Sequence, residues 1–227
     1  MEPSVIVFAI GPLGITTTVV TTWGIMLLLG VFSALATRRL RDAPGMLQTV
    51  LEGVVSAIED AVTAVLPQGG RLLVPFVGTL WIFLVVANLT GVVPGLHSPT
   101  ADLSLTAALA LLVFLSVHWY GIRAEGLRVY ARHYLSPNPI MLPFHVISEL
   151  SRTVALAVRL FGNITSLETA ALLVLIVAGF LAPVPILLLH IVEALVQAFI
   201  FGMLALVYIA GGIQSQRLSK DRKGPQP

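Results

Sequence analysis

The stretch "SRTVALAVRLFGNITSLETAALLVLIV", Ser151 to Val177, contains the contradiction on which the fold turns. Most of its residues are apolar, as in a segment that dissolves in lipid, yet Arg159 stands inside it and Arg152 one heptad earlier. A guanidinium keeps its proton in proteins, so the charge cannot be titrated away. A charge at the centre of a bilayer costs about 2.5 kcal/mol or more, so such a residue has to face protein or water. What the arginine is for depends on the segments around it.

Composition sets the class. The chain has 227 residues, of which 57% are apolar and 11% charged, with a mean hydropathy of +0.96. A soluble domain carries roughly 25% charged residues, so these values describe an integral membrane protein. The absence of cysteine excludes a disulfide framework and a thiolate metal site. Met1 to Leu13 has no basic run before its apolar residues, so no cleavable signal peptide is expected.

Working outward, apolar stretches cover residues 19–36, 72–93 and 103–122, followed by two long ones at 140–182 and 186–213. A span needs about 20 residues, so the 140–182 segment must tilt strongly or run along the interface before it enters. "APVP", Ala182 to Pro185, makes the turn between the last two, because proline restricts its own backbone and that of the residue before it. Residues 46–66 differ. Leu47, Val50, Leu51, Val54, Ile58, Ala61, Val62 and Val65 form a helical stripe, while Glu52, Ser56, Glu59 and Thr63 take another face. This is an amphipathic helix on the membrane surface. The expected fold is an all-α integral membrane protein, one unit over residues 1–227, with five crossings, one surface helix and a long tilted final hairpin.

The cations orient it. Arg38, Arg39, Arg41 and Arg71, then Arg123, Arg128 and Arg132, then Arg217, Lys220, Arg222 and Lys223 all fall on one side if residues 46–66 do not cross. "PGLHSPTAD" and "APVP", on the other side, have no Lys or Arg. The basic side is cytoplasmic, which puts the N-terminus outside and the C-terminus inside. Of the 13 cations, Arg152 and Arg159 alone lie within a span.

Polar residues inside the spans are the candidate site. His145, Glu149, Arg152, Arg159, Asn163 and Ser166 follow steps of three and four and form one stripe, interrupted only by Leu156. Glu168 is nine residues beyond Arg159, about 900° of helix, and so points to nearly the opposite side. His190, Glu193 and Gln197 form a stripe on the last helix, and Asp102 opens the third span from outside. Arg152 can pair with Glu149 on its own helix, whereas Arg159 has no acidic residue three or four positions away and needs a partner from another helix or chain. A lone His190 would be a packing residue, but Glu193 one turn on and Glu168 across the hairpin favour a pathway. The "NLT" and "NIT" sequons at Asn88 and Asn163 lie in membrane segments and are dismissed as glycosylation sites. Two other functions compete. His145 with Glu149 and His190 with Glu193 could ligate a metal in a membrane metalloenzyme, but there is no HExxH. A stand-alone secondary transporter is the other, but no internal repeat of the kind many transporters use is present.

"LAVRLFGN" (Leu156 to Asn163), Glu168 and "VQAFIFGMLALVYI" (Val196 to Ile209) resemble subunit a of the membrane (Fo) sector of bacterial F-type ATP synthases. The resemblance extends through "TTVVTTW", "PFVGTLWIFLVVANLTGVVPG" and "PTADLSLTAALAL" to nearly the whole chain. It implies a stator subunit in the inner (plasma) membrane. Its partners are a rotating ring of c subunits, peripheral-stalk b subunits and lipid, and it binds no nucleic acid. It implies two offset half-channels for the coupling ion, H+ or Na+, a final hairpin curving near-horizontally around the ring, and no cofactor, metal or catalytic site of its own. Residue by residue, Arg159 matches the family's essential arginine, with Asn163 and Gln197 flanking it. Glu168, His190 and Asp102 match the outer half-channel, to which the stripe adds Glu193. Glu149 and Ser148 are the candidates for the cytoplasmic one. The chain departs from many relatives at Leu167 (glycine there), His145 (glutamate), Thr153 (proline) and Glu193 (apolar).

Overall fold

The computed structural model describes residues 6–10, 13–38, 45–93, 96–126, 130, 142–179 and 182–221. Among the described residues, six long helices carry the chain: α1 (Thr17–Thr37), α2 (Met46–Val65), α3 (Val74–Thr90), α4 (Leu103–Glu125), α5 (Leu142–Ala178) and α6 (Val184–Asp221). Before them, β1 (Ile6–Ile10) and β2 (Leu13–Thr16) pair antiparallel, Ile10 opposite Leu13 and Ile6 opposite Thr16. The sequence reading did not anticipate this hairpin.

Four helices, α1, α4, α5 and α6, are long and apolar enough to cross a membrane. The stretch expected as a span at 72–93 resolves into a 3-10 turn, Gly70–Leu72, and the 17-residue α3. At 1.5 Å per residue α3 is about 26 Å long, near the lower limit for a crossing. Helix α5 has 37 residues and α6 has 38, each about 55 Å long. The second continues past the expected end at Ile213. Gly179, at φ 83°, adopts the left-handed conformation that closes α5.

Burial explains the arrangement. On α1 only Ile25 is buried, while Val20, Trp23, Met26, Leu27 and Leu28 are exposed. In water such a helix would be untenable, and in lipid it is at home. Helix α2 is two-sided as expected: Ile58 and Val62 sink against α3, and Arg71 Nε bonds Glu59 Oε1 at 2.8 Å. Helices α3, α4, α5 and α6 share the main core, where Leu84, Ala87, Leu160, Ile164, Ala198, Phe201 and Ala205 are shielded. Small residues there let helices approach closely without a hydrophobic drive between them. The tightest approach is Trp81 on α3 against α6. Its indole N–H donates to the Phe199 carbonyl (3.2 Å), its ring stacks on Phe199 at 5.9 Å, and a Cβ at Gly202 would fall inside the indole.

Of the cations used for orientation, Arg39, Arg41, Arg128, Arg132, Arg222 and Lys223 lie outside the described residues, as do Ile140 and Met141 at the start of the fourth expected span.

Candidate functional site

Helix α3 ends in polar residues that a lipid-facing helix would not carry. Asn88 is fully buried, its amide donating to the Ala194 carbonyl on α6 (3.1 Å) and its Oδ1 accepting from Thr100 (2.7 Å). Ser98 donates to the Ala87 carbonyl (2.9 Å) and lies 2.6 Å from the Thr100 hydroxyl. This network pins the segment after α3 against α6, and it sets the backbone N–H of Ser98 against Glu168 Oε1 at 2.8 Å.

Glu168 thus enters a pocket built by three elements. Exposed His97 has its Nδ1 3.8 Å from the other carboxylate oxygen. His190 on α6 is fully buried, its Nε2 3.4 Å from the Asn88 carbonyl. Gly91 lies between the two ionisable groups: a Cβ there would strike Glu168 Oε1 and come 3.3 Å from His190 Cε1. The hairpin does bring Glu168 and His190 together, as the sequence reading expected.

One turn further along α6 the second cluster begins. The Asn163 amide donates to Glu193 Oε1 (3.0 Å) and to Gln197 Oε1 (2.9 Å), binding α5 to α6 at mid-length. Among the described residues, His190 Nδ1 and Gln197 Nε2 are buried with no hydrogen-bond partner, and a buried polar atom left so costs about 1–3 kcal/mol. Arg159, one turn before Asn163, is exposed, and among the described residues it has no hydrogen bond or ion pair.

A third cluster lies towards the start of α5. Glu149 and Arg152 line a small cavity with Thr153, Leu156 and Tyr208, closed by apolar side chains of α4. The Arg152 guanidinium stands 5.6 Å over the Tyr208 ring, a cation–π contact. Glu149 Oε1 lies 3.7 Å from His118 Nδ1 on α4. Ser148 and His145 are exposed on α5.

Asp102 caps α4. Its Oδ1 accepts from the Ser104 N–H (2.9 Å) and hydroxyl (2.8 Å), and its Oδ2 from Thr18 of α1 (2.7 Å). Partial burial pushes this carboxyl up, but the three hydrogen bonds outweigh it and hold the group below its ordinary range. Thr165 of α5 reaches the carbonyl of the adjacent Ala101 at 3.3 Å, so Asp102 is moored beside the Glu168 end of α5.

Sequence reasoning missed His97, Asn88, Ser98, Gly91 and His118. The available signal was a polar side chain or a glycine within or beside an apolar run. Among the described residues, no three His, Cys, Asp or Glu side chains are grouped to hold a metal.

Comparison with known proteins supplies the lineage. The model of the family described as ATP synthase A chain matches residues 19–210. ATP synthase subunit a 2 of Pelobacter propionicus is 63% identical over 223 residues, 98% of each chain. ATP synthase subunit a 1 of Hahella chejuensis is 67% identical over 205 residues, 90% of this chain and 87% of its own. Subunit a of Legionella pneumophila is 59% identical over 212 residues, 93% and 92% respectively. A bundle of long apolar helices, an arginine in the middle of one of them, and similarity along nearly the whole chain lead to one statement: the chain belongs to the subunit a family of the membrane sector of F-type ATP synthases.

Proposed function

We propose that the chain is the stator through which ions pass to turn a ring of c subunits. The observation that carries this is Arg159: a permanent charge, exposed on α5 in the middle of an otherwise apolar stretch, with no partner among the described residues. A membrane helix carries such a charge only where something complementary covers it. A ring carboxylate that binds and releases the coupling ion has the required chemistry. An ionised carboxylate is drawn to the guanidinium, which assists ion release, and a cation trying to cross directly is repelled. Each ion therefore leaves by one path and is carried around the ring to the other. One charge moved through 100 mV yields about 2.3 kcal/mol for each step.

Two polar clusters supply the paths. Glu168, with His97, His190 and then Glu193, forms a series of titratable groups leading towards Asn163, and Asp102 stands at its outer rim. The Glu149 and Arg152 cavity, with exposed Ser148 nearby, serves the cytoplasmic side. Asn163, one turn after the arginine, and Gln197, hydrogen-bonded to Asn163, are the polar residues that serve to orient the guanidinium. Five crossings follow if α3 spans at its short length and α2 stays at the surface, with the N-terminus outside and the C-terminus in the cytoplasm of a cell bounded by the inner membrane. Helices of about 55 Å exceed a hydrocarbon core of about 30 Å, so α5 and α6 lie strongly tilted along the ring. The b subunits of the peripheral stalk hold the chain against torque. Carboxylates and imidazoles suit protons; sodium depends on ligands in the ring, and ATP-driven transport with and without sodium decides between them.

Arg159→Ala should abolish ion-coupled ATP synthesis while the complex still assembles, and passive leak through the membrane sector should rise. Synthesis at the normal rate in assembled Arg159→Ala complexes would overturn the proposal.

A further inference from the structure

We propose that Ser98 is a positioning residue for Glu168: its hydroxyl fixes the backbone N–H that holds the carboxylate, and so sets how tightly the outer path holds the coupling ion. This rests on the reading of Glu168 as part of that path. The local sequence prepares the donor. Pro99 confines Ser98 to extended backbone, at φ −64° and ψ 126°, and the Ser98 N–H is spent on Glu168 Oε1 at 2.8 Å. The side chain then locks that backbone in place. Ser98 is 2% exposed, and its hydroxyl donates to the Ala87 carbonyl at 2.9 Å. Ala87 lies in the last turn of α3, where carbonyls have no amide further along the helix to bond. Thr100, fully buried, closes the arrangement: it stands 2.6 Å from the Ser98 hydroxyl and 2.7 Å from Asn88 Oδ1, while the Asn88 amide reaches α6. One serine thus ties α3 to a donor for α5, and its neighbour ties both to α6.

A hydrogen bond from an N–H to a carboxylate favours the ionised form over the ion-loaded one. The donor has to stay within about 0.5 Å of its place to do so. With the hydroxyl gone, the segment is released from α3 and the N–H withdraws. The carboxylate then takes up an ion more readily and gives it up less readily. A merely structural serine would change only how much complex assembles. Among the described residues, the titratable groups that face Glu168 are exposed His97, its Nδ1 3.8 Å from Oε2, and buried His190, across Gly91. His97 belongs to the same segment as Ser98, and loss of a charged imidazole acts in the same direction as loss of the N–H, so the test has to separate the two.

Proteoliposomes carrying the whole ATP synthase, with ADP supplied outside, synthesise ATP only from complexes whose outer path opens to the lumen. The lumenal concentration of the coupling ion, protons unless synthesis requires sodium, is varied at fixed membrane potential. Per assembled complex, Ser98→Ala should lower both the maximal rate and the half-saturating ion concentration about fivefold, the scale of one hydrogen bond. The shift should persist when His97→Gln is added, which assigns it to the N–H. An unchanged or raised half-saturating concentration overturns the inference, as does a shift that vanishes with His97→Gln. If Ser98→Ala does not assemble, Thr100→Val, isosteric and one contact further from the N–H, replaces it under the same criteria. Glu168→Gln separates the levels. If it matches the wild type in rate and half-saturation, the outer path does not run through Glu168 and both statements fall. If it is slow while Ser98→Ala leaves half-saturation unchanged, only the role of Ser98 falls.

Discussion

Gly91 is small because two ionisable side chains converge on it. A Cβ at that position would displace Glu168 Oε1, which accepts the Ser98 N–H, and would push His190 by a few tenths of an ångström. Gly91→Ala should therefore lower ion-driven synthesis on the order of tenfold, since displacements near 1 Å at a working site cost about that or more, while the amount of assembled complex stays near normal. Normal synthesis per complex in Gly91→Ala would mean that the Glu168–His190 approach is packing alone. At this scale the sequence was legible wherever one helix supplied the pattern. Arg159 and Asn163 share a face by register, and the distance to Glu168 put it on the other side. Partners from other elements were not legible, because no periodicity links Glu168 to His97 or Glu149 to His118. Glu193, read with His190 from their spacing, has its hydrogen bond from Asn163 across the hairpin. Only the register between α5 and α6 decides that, and a two-helix register is a tertiary quantity.

Helices were the most legible elements, since each apolar run ends at glycine, proline or charge. Their exact use was less so. The start of the second apolar run is spent on the 3-10 turn that lets Arg71 reach Glu59, which leaves α3 short. The strands Ile6–Ile10 and Leu13–Thr16 were missed because short apolar runs fit helix and strand alike, and a two-stranded ribbon is marginal by itself. The contact between α3 and α6 turns on a pair of opposite sizes, Trp81 and Gly202. Gly202→Val should lower the thermal midpoint of the solubilised complex, with a cost of about 1–3 kcal/mol for overpacking, or more if the helices separate. Trp81→Ala in the same chain should restore part of it, because the added methyls then occupy the vacated indole space. Additive losses in the double variant would show that the two residues act independently.

For the molecule as a whole, class was legible from composition because lipid selects against charge everywhere at once. Tilt was not, because helix length says only how much chain there is to accommodate, and packing against neighbours sets the direction. Sidedness rests on the cation count, and the absence of native cysteine makes it directly measurable. Leu96→Cys, at an exposed position after α3, should react with an impermeant thiol reagent from outside, and Ser219→Cys only from the cytoplasmic side. The reverse pattern would invert the topology. Exposure of Arg159 has a further outcome during biogenesis. A newly inserted copy has to hold that guanidinium by drawing water and headgroups towards it, a burden of about 2.5 kcal/mol or more. Until its partner docks, the orphan chain is the one whose α5 is most easily drawn out of the bilayer and handed to membrane proteolysis. On the function proposed above, the same side chain would thus also limit the lifetime of every copy made in excess of its ring.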